Sequence, residues 1–145
     1  MTQHPIFTDE HDELRQSVRR FVDTEIRPHV DKWEDAEWFP DDVFRRAGFA
    51  IAEEAFADRR YEPDGSLRSR KFADALILDP KEAAAQALRI AENGSVIARD
   101  GTEIRASAQT ICIHGDTPGA AKIAAAVAQR LTDAGIALRP LAKLS

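Results

Sequence analysis

Only one cysteine, Cys112, occurs in the chain, which excludes an intramolecular disulfide framework and fits a reducing, cytoplasmic setting. No apolar run approaches the length needed to cross a bilayer, so no membrane span is expected. The start, MTQHPIFTDEHDELR, has neither a basic head nor an apolar stretch, so no secretory signal is expected there. Excess positive charge is also missing. The net charge of −5 offers no electrostatic footprint for nucleic acid or an anionic membrane. There is no internal repeat and no low-complexity linker. What remains, 43% hydrophobic and 31% charged over 145 residues, is the composition of one soluble domain with a real core.

The charge is unevenly spread. Residues 1–48 hold 7 Lys+Arg against 12 Asp+Glu and contain both tryptophans, Trp33 and Trp38, whereas residues 49–145 hold 13 of each sign. Two segments of different character are expected, meeting near Gly48.

In the first segment Thr8 can cap a helix with Asp9 and Glu10 in its first turn. Leu14, Val18, Phe21, Val22 and Ile26 recur on one helical face. Pro28 ends or kinks that helix, a short piece carries Val30 and Trp33, and Pro40 opens a third helix that stops at Gly48. Residues 8–48 therefore predict three helices and no strand. His4, His11 and His29 are scattered among them and are expected at the surface, and the tryptophans are helix-packing material.

After Gly48 strands and helices alternate, the pattern of an α/β domain. Residues 51–61 are ambiguous by period. Glu62-Pro63-Asp64-Gly65 is a turn, and Ala75–Leu78 is a short apolar run that could be a buried strand. Asp79-Pro80-Lys81-Glu82 starts an alanine-rich helix that stops at Asn93-Gly94. Asp100-Gly101 joins the two arms of a hairpin. Thr110–Ile113 is a strand, Thr117-Pro118 opens a helix lasting to Ala134, and Ile136–Leu138 is a last strand or an extended tail.

TICIHGDTPG, residues 110–119, is the most informative stretch. Strand alternation points Thr110, Cys112 and His114 one way and Ile111 and Ile113 the other. His114 and Asp116 then fall in the loop beyond the strand's carboxyl end, where ligands gather in α/β sheets. Imidazole can shuttle a proton, and Asp116 could orient it or hold a metal. Equally, Gly115 and Asp116 could simply build the turn. The order of HGDTPGAAK is not that of a P-loop, and Lys122 stands too far along. One Cys, one His and one Asp make a poor zinc site, and a Cys112–His114 nucleophile pair is weaker still, because buried strand cysteines are usually inert. A second polar cluster comprises Asp58, Arg59, Arg60 and Tyr61 with Arg68 and Arg70. Its arginines could grip a carboxylate in a bidentate fork or simply form a solvated loop.

The second segment resembles the LamB/YcsF family, which includes the A component of prokaryotic ATP-dependent 5-oxoprolinase. The resemblance rests on EEAFADRRYEPDGSL (53–67), Arg70, DALI (74–77), the helix of 79–94 and TICIHGDTPGAA (110–121). It implies the C-terminal part of a (β/α) barrel of the glycoside hydrolase/deacetylase type. The implied activity is opening 5-oxo-L-proline to L-glutamate with ATP and with B and C partner subunits. His114 and Asp116 would be catalytic, and Asp58, Arg59 and Arg70 would contact a small carboxylated lactam. Two departures stand out. Ser69-Arg70-Lys71 replaces the family's Pro-Arg-Ser, and the family's Asp-Leu-Asn strand, His-Ala-Gly-Asp loop and Lys-Pro-His-Gly loop have no counterpart in these 145 residues. Closing the barrel then needs strands from another polypeptide or a homo-oligomer.

Residues 7–48 instead resemble the opening helices of acyl-CoA dehydrogenases, FAD enzymes whose catalytic carboxylate and flavin-binding segments are not among them. Two further readings follow: a fragment of an FAD oxidoreductase, or a non-catalytic fusion of two gene fragments.

Overall fold

A computed structural model describes residues 8–36 and 39–141, in two compact units that meet after Ile51. The predictions for His4 and Trp38 lie outside the described residues. In the first unit α1 spans Asp9–Phe21, and Thr8 and His11 cap it reciprocally. The Thr8 amide donates to the His11 Nδ1, and the Thr8 hydroxyl lies 2.8 Å from the same nitrogen. The expected apolar face splits: Phe21, Val22 and Ile26 are half-buried, whereas Leu14 and Val18 stay exposed.

Pro28 acts through its missing N–H and its ring, which cannot accept an ordinary helical neighbour one turn back. The helix widens before it. Val22–Ile26 forms a π turn in which the Arg27 amide reaches the Val22 carbonyl, followed by a 3₁₀ turn at Arg27–His29 and by α2, Val30–Asp35. The third helix, α3, spans Asp41–Arg46. Pro40 is its extended N-cap and not its first helical residue, a correction of one position. Trp33 packs on Phe39 at 4.6 Å between centroids, and Phe39 on Phe44 at 4.9 Å.

The second unit is mixed α/β. Its strands are β1 (Glu54–Phe56), β2 (Ser95–Ile97), β3 (Glu103–Arg105) and β4 (Thr110–Cys112), with helices α4 (Pro80–Asn93) and α5 (Ala120–Asp133). β1 and β4 pair in parallel, with Phe56 opposite Cys112, and β2 and β3 pair antiparallel. The helices pack on each other because their faces differ in kind. α4 offers Ala83, Ala84 and Ala87, small enough for close approach, to the Ile123, Val127 and Leu131 ridge of α5. Ala57 and Ile77 complete that cluster, and Ala55, Tyr61, Ile90 and Val96 form a second.

Local signals at α4 hold. Asp79 caps it by accepting from the Lys81 amide at 2.9 Å, Pro80 is its first residue, and the Gly94 amide closes its end on the Ile90 carbonyl. Glu82 does not fold back onto the cap; it pairs with Arg60 at 2.6 Å. The hairpin also forms, but its loop is wider than Asp100-Gly101 alone. The Ala98 amide bonds the Thr102 carbonyl, and Gly101 occupies the left-handed region at φ 92°.

Two expectations change, and one open alternative is decided. Ala75–Leu78 is not a strand: only Leu76 bridges to Arg59, because the capped start of α4 follows within three residues and leaves no room for a ladder. Thr117 and Pro118 form a turn before α5, which begins at Ala120 behind Gly119 at φ 81°, a left-handed position that suits glycine. Of the two alternatives for residues 136–138, no strand forms and the tail remains.

Gln86 ties α4 to the end of β1. Its amide nitrogen lies 2.8 Å from the Phe56 carbonyl, 2.9 Å from that of Arg59 and 3.3 Å from that of Ala57. Gln86→Leu leaves these half-buried acceptors short of a donor and is expected to cost about 2 kcal/mol, read as a lower urea midpoint. An unchanged midpoint would show that the clamp is dispensable.

Candidate functional site

The parallel register of β1 and β4 carries past their ends. Phe56 is opposite Cys112, so two residues further along, on the same face, Asp58 stands beside His114. The small residues Ala55 and Ala57 take the other face and enter the core, as do Ile111 and Ile113 against its edge. Two chain segments 56 residues apart thus bring an acid and an imidazole together.

Asp58 is fully buried, at 0% exposure. Its carboxylate accepts from the His114 amide at 2.9 Å and from the Thr117 hydroxyl at 2.7 Å, and it lies 3.0 Å from the His114 ring nitrogen Nδ1. Burial alone pushes the carboxyl up. The hydrogen bonds from the His114 ring, the Thr117 hydroxyl and the His114 amide outweigh it and hold the group below the usual carboxylate range. An ionised carboxylate accepts only, so Nδ1 carries a proton, and in the neutral ring the lone pair is then on Nε2.

The His114 side chain is 23% exposed, and its ring stacks on Phe56 at 5.3 Å with 17° between planes. Among the described residues Nε2 has no hydrogen-bond partner. The arrangement is an oriented imidazole over a buried carboxylate, able to take a proton at Nε2 and return it.

Among the described residues Asp116 makes no hydrogen bond to the His114 ring, whose Nδ1 is taken by Asp58. Asp116 pairs with Arg70 at 2.9 Å, and that guanidinium, by hydrogen bond and charge, holds the Asp116 carboxyl below its usual range. Arg59 lies elsewhere. Strand alternation carries it off the Asp58 face, its guanidinium donates to the Arg68 carbonyl at 2.8 Å, and it is 7% exposed. The structure therefore groups Asp58, His114 and Thr117, pairs Arg70 with Asp116, and leaves Arg59 bracing a loop. Asp58, expected to touch ligand, is instead beneath the histidine. Cys112 is no nucleophile candidate, since burial pushes its thiol up.

Sequence reasoning missed Thr117, read as a helix opener, and Phe56, read as part of a motif without a role. The recurrence of Phe56 and Asp58 at a spacing of two was the available signal, but it means nothing until β1 is known to lie beside β4.

Among the described residues no three His, Cys, Asp or Glu side chains form a metal-binding group. Neither of the two long helices of this unit offers a phosphate cradle at its N-terminus. α4 opens on Asp79 and Glu82, which repel an anion. At α5 the amides of Ala120, Lys122 and Ile123 are already taken by the Thr117 and Gly119 carbonyls.

Comparison with known proteins matches residues 15–145 to the LamB/YcsF family. The chain belongs to that family. The match begins inside α1, so it runs through the helical segment as well as the α/β unit. Relatives of this LamB/YcsF chain include the A component of 5-oxoprolinase from Chloroflexus aggregans, 53% identical over 98 residues, covering 68% of this chain and 39% of the relative. The protein of the same name from Methylococcus capsulatus is 53% identical over 95 residues, covering 66% and 36%. A crystal structure of a lactam utilization protein from Thermus thermophilus superposes with a TM-score of 0.63 at 39% identity, covering 70% of this chain and 42% of that one. The LamB/YcsF chain described here thus spans about two fifths of the length of the curated relatives it matches.

Proposed function

We propose that this chain acts in a 5-oxoprolinase-type assembly that opens 5-oxo-L-proline, a small carboxylated lactam, to L-glutamate in an ATP-dependent reaction. One observation carries the reading: His114 is held at Nδ1 by the buried Asp58 while Nε2 stays open. The names of the relatives, with the lactam utilization protein as structural neighbour, supply the substrate class.

In this reading His114 takes a proton from the attacking water at Nε2 and hands it to the ring nitrogen as the lactam C–N bond breaks. Asp58 keeps the tautomer and balances the charge on the imidazole, and Thr117 fixes Asp58. Arg70 and Asp116 form the solvent side of the site. Neither long helix of the α/β unit offers a phosphate cradle at its N-terminus, so ATP use is assigned to B and C partner subunits, and no step of the proton transfer passes through it. The α/β unit is taken as part of a (β/α) barrel of the glycoside hydrolase/deacetylase type, with further strands contributed by residues outside these 145. The chemistry belongs to residues 49–145 and none of it to residues 1–48. No helix among the described residues is long and apolar enough to cross a membrane, in keeping with a cytoplasmic assembly.

The test is reconstitution with the B and C partners, measuring glutamate formed from 5-oxo-L-proline in the presence of ATP. Turnover that depends on adding this chain is expected. No turnover under conditions where a full-length relative works would sink the reading.

A further inference from the structure

Arg70 and Asp116 come from loops 46 residues apart and meet in the turn beyond β4, where Asp116 stands two residues after His114. The backbone behind Arg70 is pinned. Arg68 is clasped by Glu62 and Asp74, each at 2.7 Å, and its guanidinium lies 4.1 Å from the Phe72 ring centroid. The Asp116 loop is closed by the Thr117 amide on the His114 carbonyl at 3.1 Å. Each member of the pair is therefore presented from a fixed base.

The contact itself is slight. One Arg70 nitrogen meets one Asp116 oxygen at 2.9 Å, and the two side chains are 45% and 69% exposed. A guanidinium has five N–H groups and matches a carboxylate with two parallel bonds, so most of its donors are open to a second acid. A solvent-exposed single contact is also readily exchanged. Other arginines on this unit differ in place. Arg60, Arg89 and Arg99 line a groove of about 640 Å³, but each is paired with Glu82, Glu103 or Asp74, and no histidine or cysteine lines that groove.

Building on the lactam reading above, we infer that Arg70 is the anchor for the ligand's carboxylate and that Asp116 is an internal placeholder which the ligand displaces. The site then selects small lactams that carry a carboxylate over those that do not. Asp116 keeps Arg70 aimed at the site between ligands and competes with every acid that enters.

The test follows the His114 ring resonances of the full chain by NMR during titration with 5-oxo-L-proline and, separately, with 2-pyrrolidinone, the same ring without the carboxylate. In the wild type 5-oxo-L-proline is expected to bind about tenfold tighter or more. Arg70→Gln removes that discrimination, Asp116→Asn tightens 5-oxo-L-proline alone, and neither variant alters 2-pyrrolidinone. Equal affinity of the wild type for the two probes, or weaker 5-oxo-L-proline binding by Asp116→Asn, overturns the anchor while the lactam reading stands. If neither probe perturbs the ring, the lactam reading fails and takes the anchor with it.

Discussion

His114→Gln is expected to lower kcat for 5-oxo-L-proline cleavage by the reconstituted assembly about 10³-fold, with KM little changed. Glutamine can still present an amide N–H to Asp58, so the buried carboxylate keeps a donor. The stacked position on Phe56 also accepts a planar amide. Stability should fall by only about 1 kcal/mol. What glutamine lacks is a basic nitrogen at the position of Nε2, which is why the loss belongs in kcat. The measurement is steady-state kinetics beside a thermal melt. A kcat within about threefold of wild type would remove His114 from the chemistry.

Asp58→Asn should be nearly as damaging to turnover and worse for the fold. The carboxylate accepts from the His114 amide, the Thr117 hydroxyl and the His114 ring. An asparagine NH₂ turned toward any of these meets a donor or inverts the ring tautomer, placing the proton on Nε2, where no base then remains. A tautomer error of this kind is worth about 10⁴-fold in kcat in the Ser-His-Asp template. The mismatch at a fully buried site is expected to cost about 3 kcal/mol.

The pH dependence separates this from a general packing defect. The Asp58 carboxyl is held below its ordinary range in the fold, so its contribution is fully present above the unfolded value and is lost as pH falls through the folded one. The stability gap between wild type and Asp58→Asn should therefore be widest near pH 7 and should narrow below about pH 4. Denaturant midpoints at the two ends of that window read it directly. A gap that does not change with pH would mean that Asp58 acts by shape and not by charge.

Much of the α/β unit could be read from local chemistry. The cap and proline of α4, the glycine of the 100–101 turn and the alternation through residues 110–114 all act within a few residues of themselves. The structure follows them closely. Where a local signal was overridden, a neighbour explains it. The apolar run at 75–78 had no length left before the α4 cap, and Thr117 became a hydrogen-bond donor to Asp58 instead of a helix cap.

His114 stood out in the sequence because two-residue alternation and the following turn are local properties of the backbone. Its partner did not. Asp58 looked like one member of a charged loop, and only the parallel register of β1 on β4 puts it under the imidazole, fully buried and ionised. Arg70 and Asp116 likewise meet only when the loops beyond two separate elements are folded side by side. Local sequence determined which elements form and the alternation that carries His114 past the end of β4. Tertiary structure decided which side chains share the site, because strand pairing joins positions whose separation along the chain leaves no trace in either neighbourhood.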